Sequence, residues 1–243
     1  MMKFIFKNYW FIFLTVIAAL AIWLTKTNHS LFFYVNSHHN LLSDATLNAI
    51  NFITWFDSGI LPIALITITL LFRRDKLLNV ILLIVTYMIV FSLLKFVFHE
   101  ARPYIQYNPQ DFYWSSSTPQ ENSKDAYRSF PSGHTGNTAI FVFALSYLFA
   151  YQRFWLSSFL LLPLALTMLV RIGTGWHFPL DVLCAALFAF ILVEFTMRLP
   201  LKTPKIFIKN SFKVKIMQAC CFFMKKCALY NKEKVNSKSR RVD

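Results

Sequence analysis

Six apolar runs, each near the roughly 20 residues that carry an α-helix across a bilayer, dominate this 243-residue chain. They are Tyr9 to Leu24, Phe52 to Phe72, Leu77 to Phe98, Thr135 to Tyr151, Phe154 to Val170 and Phe178 to Met197. In hydrocarbon every backbone N–H and C=O must be bonded inside the segment, so such runs form helices rather than open sheets or loops. The fold class expected is therefore all-α, an integral membrane protein with six transmembrane helices. Composition agrees: 56% of residues are hydrophobic and 15% charged, where a soluble domain has about a quarter charged. Disordered, collagen-like and disulfide-framework classes are excluded by the same figures and by only four Cys and five Gly.

The connections between the runs set an orientation. Lys3 and Lys7 precede the first run, Arg73-Arg74-Asp75-Lys76 joins the second to the third, Arg153 joins the fourth to the fifth, and a basic tail follows Leu199. With six crossings all four segments fall on one side, which the positive-inside rule makes the cytoplasm. Both termini are then cytoplasmic. The loop His99 to His134 and the link Arg171 to His177 face the opposite side. Ala19-Leu20-Ala21 resembles a signal-peptidase site, but the bulky Trp23 follows it, so the first run is kept as a helix. Leu31 to Ile50 is mixed and reads as an interfacial or extracytoplasmic amphipathic segment.

The net charge of +14 divides by position. The tail carries twelve basic and two acidic residues, leaving thirteen and nine elsewhere. Most of the excess is thus a topology signal and not a sign of nucleic-acid binding. The chain divides into a six-helix domain, residues 1–199, and a basic cytoplasmic tail, residues 200–243. The tail is either an amphipathic helix on the anionic leaflet or a disordered basic extension. Its Cys220, Cys221 and Cys227 are expected to be reduced thiols, and Cys184 in the sixth run a small apolar residue. No cofactor and no metal are expected.

Ionisable residues inside apolar runs are costly and mark function by default. Lys95 lies near the end of the third run and Arg102 seven residues on, before Pro103. On a helix they would share a face about 10 Å apart, with the helix fraying before the proline. Taken alone, both could simply snorkel to the headgroups. A second cluster, Pro131-Ser132-Gly133-His134, opens the fourth run. Free N–H groups and the positive dipole end at a helix start bind anions, and Gly133 lets the backbone approach closely. The third cluster runs from Arg171 through His177 to Asp181. A carboxylate four residues after a histidine can fix its tautomer and leave the other nitrogen free to attack, and Arg171 can grip phosphate in a fork. Four of the five glycines, Gly133, Gly136, Gly173 and Gly175, lie in or beside the last two clusters.

Together the clusters resemble the signature of the type 2 phosphatidic acid phosphatase (PAP2) superfamily. In that pattern a Lys is followed after six residues by Arg-Pro, then by Pro-Ser-Gly-His, then by Ser-Arg, five residues, His, three residues and Asp. Order and internal spacings fit over about residues 50–195. Val170 departs, standing where the family has Ser, which bears on the detailed phosphate cradle. The resemblance implies a PAP2-like helical bundle that removes phosphate from a membrane lipid without a metal. It implies His177 as nucleophile through a phosphohistidine, Asp181 as its orienting partner and His134 as acid and base. Lys95, Arg102, Arg171, Ser132 and Gly133 would bind the phosphate.

Substrates implied by the family are undecaprenyl pyrophosphate, phosphatidylglycerol phosphate, phosphatidic acid and lipid A, met at the extracytoplasmic face of a bacterial inner membrane. A lipid-to-acceptor phosphotransferase and a catalytically silent lipid-binding relative are the alternatives. The partners expected are the bilayer and the lipid phosphate; oligomeric state is left open. Tyr104, Tyr107, Tyr113 and Trp114 are expected to form a headgroup-level lid. His99 and Glu100 are expected to be solvated loop residues, and His29, His38 and His39 to lie at the surface.

Overall fold

The computed structural model describes residues 5–38, 59–108, 110–114, 125–149 and 154–204, and among them the chain is all-α, without a strand. The helices are α1 (Ile5–Thr25), α2 (Asn28–Ser37), α3 (Gly59–Phe72), α4 (Leu77–Phe98), α5 (Pro103–Gln106), α6 (Gly133–Phe149), α7 (Phe154–Phe159), α8 (Leu161–Gly173) and α9 (Pro179–Arg198). Three stretches are long and apolar enough to cross a membrane: Arg74–Gln106, Trp155–Gly173 and Pro179–Arg198. The pair Trp10–Thr25 and Asn28–Ser37, bent by 112°, makes a fourth if it is one span. Gly59–Phe72 is apolar but shorter, and α6 has 17 residues. The six crossings expected from the apolar runs are thus met by length in part. The basic tail beyond residue 204, with its three cysteines, lies outside the described residues, as do His39 and most of the amphipathic stretch after it.

Each helix boundary has a local cause. α4 ends where His99 turns left-handed (φ 43°), its N–H bonding the Lys95 carbonyl at 3.3 Å. Pro179 opens α9, where its missing N–H costs nothing, and the Asp181 carboxylate accepts the Phe178 N–H at 2.9 Å, half of a capping box. The fifth run is broken at Leu160. Pro163, three residues on, lacks an N–H and its ring crowds the carbonyl four residues back, so it is accommodated in the first turn of a new helix. α2 turns off α1 after Lys26, another left-handed residue (φ 56°), and packs on α8 and α9. It begins the stretch expected to be interfacial.

The core joins α4, α6, α8 and α9, and α6 against α9 is its largest interface. Ala139, Ala144, Ala185, Ala186 and Ala189 are completely buried there. Small residues let helix axes approach in a medium where apolar burial drives nothing. The outer faces are apolar too: Phe13, Trp23, Met88, Phe96, Trp155, Ile191 and Phe195 are all more than half exposed. An exposed apolar belt of this extent needs a lipid environment.

The two ends of the bundle differ in chemistry. At one end the helix carbonyls left open at the C-termini of α6 and α9 are bonded by side chains from the start of α4. Arg73 Nη1 donates to the Leu148 carbonyl (2.7 Å), Lys76 Nζ to Met197 (3.2 Å), and buried Asn79 Nδ2 to Thr196 (2.7 Å) and Leu199 (2.9 Å). At the other end lie the N-termini of α6 and α9 and the C-termini of α4 and α8, where the three sequence clusters meet.

Gly136 fixes how closely α4 meets α6 at that end. A Cβ there would run into the Phe91 ring, 2.7 Å from Cζ, and lie 3.0 Å from Tyr87 Cε2, while Tyr87 Oη donates to the Gly133 carbonyl at 2.9 Å. Both rings are buried, so neither can swing clear. Gly136→Ala is expected to cost about 1–3 kcal/mol by overpacking. A lowered Tm of the purified protein in detergent checks it, and an unchanged or raised Tm would show that α4 yields.

Candidate active site

The site is assembled from three backbone turns tied to one another. The Ser132 N–H donates to the Asp181 carbonyl (3.1 Å), which locks the start of α6 to the start of α9. The Arg102 N–H donates to the Ala126 carbonyl (2.9 Å) and the Ser129 N–H to the Glu100 carbonyl (2.9 Å), which dock the segment after α4 on the segment before α6. The Arg171 carbonyl at the end of α8 accepts the N–H groups of Trp176 (3.1 Å) and His177 (3.2 Å). That last turn needs Gly175 at φ +82°. A Cβ on it would also stand 2.8 Å from Phe112 and 2.9 Å from Trp114.

His177 is almost fully buried, and its two ring nitrogens face different surroundings. Nδ1 lies 3.4 Å from Asp181 Oδ2 and 3.5 Å from Ser129 Oγ. Nε2 lies 3.5 Å from Arg102 Nη1. Asp181 Oδ2 is held from two further directions, by the Ser129 hydroxyl (2.5 Å) and the Phe178 N–H (2.9 Å). Its other oxygen, Oδ1, is buried with no hydrogen-bond partner among the described residues. The carboxylate is thus rigid, and the His177–Asp181 distance is longer than a good hydrogen bond, as is common in unliganded sites.

Burial first, then Arg102, Arg171, Lys95 and His134, oppose a proton on His177 and hold it well below the usual imidazole range. It is therefore neutral near pH 7, with a lone pair available. The same ranking shows that the residues of all three sequence clusters converge on this ring. Because an unfolded imidazole titrates near 6.5, the folded state binds fewer protons than the unfolded one there. His177 therefore removes stability as pH falls below about 6.5.

The cations are positioned before any ligand arrives. Lys95 Nζ donates to the Arg128 carbonyl (2.7 Å), and its Cε is 3.9 Å from where a Cβ on Gly133 would stand. Arg102, 7% exposed, donates from Nε to the Asp125 carbonyl (2.8 Å) and from Nη1 to Trp176 O (3.4 Å). The guanidiniums of Arg102 and Arg171 sit 5.3 and 5.0 Å from the Trp176 ring. One indole thus offsets part of the repulsion between two nearby like charges. Trp176 in turn packs at 4.6 Å on Trp114, which packs on Tyr104. Tyr104 and Trp114, two of the four rings expected in a lid, thus pack against Trp176. Buried Asn36 of α2 pins Tyr113, next to Trp114, bonding both its N–H (2.8 Å) and its carbonyl (2.9 Å).

Ser132 and Gly133 open α6 as expected, but the Ser132 oxygen is already engaged. It accepts the Thr135 hydroxyl (3.0 Å) and N–H (3.4 Å), acting as the helix N-cap. Its own proton remains to be donated. Val170, in the place of the family Ser, is buried, and its carbonyl accepts both the N–H (2.9 Å) and the hydroxyl (2.5 Å) of Thr174. His29 is at the surface as expected, but is engaged: its ring meets the Tyr107 hydroxyl at 2.5 Å and packs on Phe178 at 4.9 Å. His99 is exposed and stacks on Tyr127. Glu100 is not the solvated loop residue expected; it is half-buried and lines a groove against α1 and α9.

Ser129, Trp176 and Tyr87 were not among the residues expected at the site. Ser129 stands two residues before the Pro-Ser-Gly-His turn in a stretch with no periodicity, and Trp176 inside a five-residue spacer. Only the fold gives them roles. A cavity of about 420 Å³ opens between α3, α4 and the start of α6, lined by Pro62, Met88 and Phe91 and reaching Lys95, Arg128 and Gly133.

Among known proteins, the crystal structure of Aquifex aeolicus LpxE is similar, with a TM-score of 0.59 and 27% sequence identity over 71% of this chain and 95% of that one. No curated protein matches the sequence. The model of the family described as the PAP2 superfamily matches residues 76–205, a span holding every residue of the cluster around His177, and the chain belongs to that superfamily.

Proposed function

We propose that this membrane phosphatase hydrolyses the phosphate or pyrophosphate of a membrane lipid by way of a phosphohistidine, without a metal. The observation that carries the reading is the neutral, buried His177, backed by Asp181 and Ser129 on Nδ1 and facing Arg102 on Nε2. The Nε2 lone pair attacks phosphorus while the bond to the lipid oxygen breaks. His134, protonated once the negative charge of the lipid phosphate enters the pocket, gives that proton to the leaving oxygen. Asp181 stabilises the positive ring of the phosphohistidine. Water then attacks phosphorus with His134 taking its proton, the P–N bond breaks with its electrons returning to Nε2, and phosphate leaves.

Lys95, Arg102 and Arg171, with Ser132 and the Gly133 N–H at the positive end of α6, neutralise the phosphoryl oxygens. Phosphoryl transfer needs little beyond such positioning and charge. The groove between α3 and α4 gives a lipid chain a path from the bilayer to Lys95. Undecaprenyl pyrophosphate, phosphatidylglycerol phosphate, phosphatidic acid and lipid A all present phosphate in this way.

The site lies at the end of the bundle opposite the basic connection Arg73 to Lys76. With the positive-inside rule, this position supports a site at the extracytoplasmic face of an inner membrane, with the termini and the tail cytoplasmic. Purified protein assayed against a panel of these four lipids with EDTA present is expected to release phosphate from at least one. Activity that disappears with EDTA and returns with added divalent ion would overturn the metal-free mechanism.

A further inference from the structure

A second groove, of about 520 Å³, runs along the outer side of the bundle, away from the cavity that reaches Lys95. Val16, Ala19, Leu20 and Trp23 of α1 form one wall, and Leu180, Cys184 and Leu187 of α9 the other. Phe98 and Phe130 close its upper end. It holds a single carboxyl, that of Glu100. The groove and the active site share their partition. Leu180 and Cys184 flank the turn that carries Asp181, and Phe130 joins Ser129 to Pro131. The Glu100 carbonyl accepts the Ser129 N–H (2.9 Å), and the Ser129 hydroxyl binds Asp181. Glu100 is therefore one residue removed from the nucleophile's carboxylate, on the lipid side.

The Glu100 carboxyl has no hydrogen bond or ion pair among the described residues. A carboxyl held in an apolar slot without a partner is costly, and that cost is recovered when a donor arrives from outside. The walls, on α1 and α9, exclude a polar peptide or a nucleotide as the occupant; a hydrocarbon chain fits them. An acceptor at the head of a chain-sized slot complements a lipid that offers a hydroxyl or amide N–H beside its phosphate.

Resting on the lipid phosphatase reading above, we propose that Glu100 is a specificity-determining residue. It accepts a hydrogen bond from a hydroxyl or amide of the substrate's interfacial region while one of that lipid's chains lies in the groove between α1 and α9. Lipid phosphates that carry such a donor are favoured over those whose backbone is fully esterified or is a plain polyprenol.

The test compares kcat/KM of the full chain in nanodiscs for ceramide 1-phosphate, which has both donors, and phosphatidic acid of matched chains, which has neither. Wild type is expected to favour the first by about tenfold, the size of one charge-assisted hydrogen bond. Glu100→Leu should bring the ratio near one by slowing only ceramide 1-phosphate. Glu100→Gln, whose carbonyl still accepts, should keep most of the preference. Cys184→Phe, which narrows the slot without touching the carboxyl, should raise KM for long-chain lipids more than for a dihexanoyl phosphatidic acid. Equal ratios in wild type and Glu100→Leu overturn the role of Glu100 while the phosphatase reading stands. Phosphate release from neither lipid, nor from dihexanoyl phosphatidic acid, overturns both.

Discussion

His177→Ala will reduce phosphate release by a factor on the order of 10⁶, the loss typical when a nucleophile that works as part of a unit is removed. The size follows from the absence of any substitute. The ring is buried and Nε2 is held against Arg102. Alanine in its place leaves a void lined by cations, and the nearby Ser129 and Ser132 hydroxyls are held by Asp181 and Thr135. Phosphate should still bind there, because Lys95, Arg102 and Arg171 keep their own anchors on backbone carbonyls and on Trp176. KM is therefore expected to change little while kcat disappears.

His134→Ala gives the complementary result. Attack can still occur on a lipid pyrophosphate, whose leaving group, the lipid monophosphate, departs without a proton, but hydrolysis of the intermediate slows, so radiolabelled phosphate should stay on the protein as an acid-labile, base-stable adduct. Quench experiments with labelled lipid pyrophosphate check this. The absence of a trappable adduct in a variant that still releases phosphate at more than a few per cent of the wild-type rate would show that water attacks phosphorus directly. Because His177 is held neutral by burial and by its neighbouring cations, the acid side of the rate profile should not fall at the ordinary imidazole value for want of a free nucleophile.

The membrane class and much of the site were legible before any coordinates, for reasons that can be named. Leu77 to Phe98 is an uninterrupted apolar run, and it is α4 residue for residue. The residues expected to act are ones that only function tolerates in their places: Lys95 and Asp181 within apolar runs, and His177 one helical turn before a carboxylate. What was not legible depends on contacts distant in sequence. Ser129 acquires its role only when the segment before α6 meets α9, 52 residues on. Trp176 matters because two arginines, one before α5 and one in the last turn of α8, lie against it. Glu100 resembles any polar loop residue until α1 closes beside it. The break at Leu160 could have been read from Pro163, whereas the 112° bend between α1 and α2 has no proline or glycine to announce it.

Asp181→Asn will lower kcat by roughly 10³–10⁴-fold with little change in Tm, and the geometry explains why charge and structure separate at this position. All three groups that bind the carboxylate approach the same oxygen: the Ser129 hydroxyl, the Phe178 N–H and His177 Nδ1 meet Oδ2, and Oδ1 has no partner among the described residues. An asparagine that puts its carbonyl oxygen at the Oδ2 position keeps every one of these contacts. Only its amide nitrogen, in the place of Oδ1, lacks a partner, as Oδ1 itself does. The helix start and the neutral His177 tautomer are thus preserved. The negative charge that offsets the positive ring of a phosphohistidine, in a pocket already holding three cations, is gone. Asp181→Ala, by contrast, strips the partner from both Ser129 and Phe178 and should lower Tm as well. Ser129→Ala removes one neutral donor and should cost only about tenfold in rate, the range of a single hydrogen bond. Measured together, kcat and Tm of the three variants distinguish the roles. An Asp181→Asn enzyme that keeps more than a tenth of wild-type kcat would mean that the carboxylate serves to cap α9 and not to stabilise charge on His177.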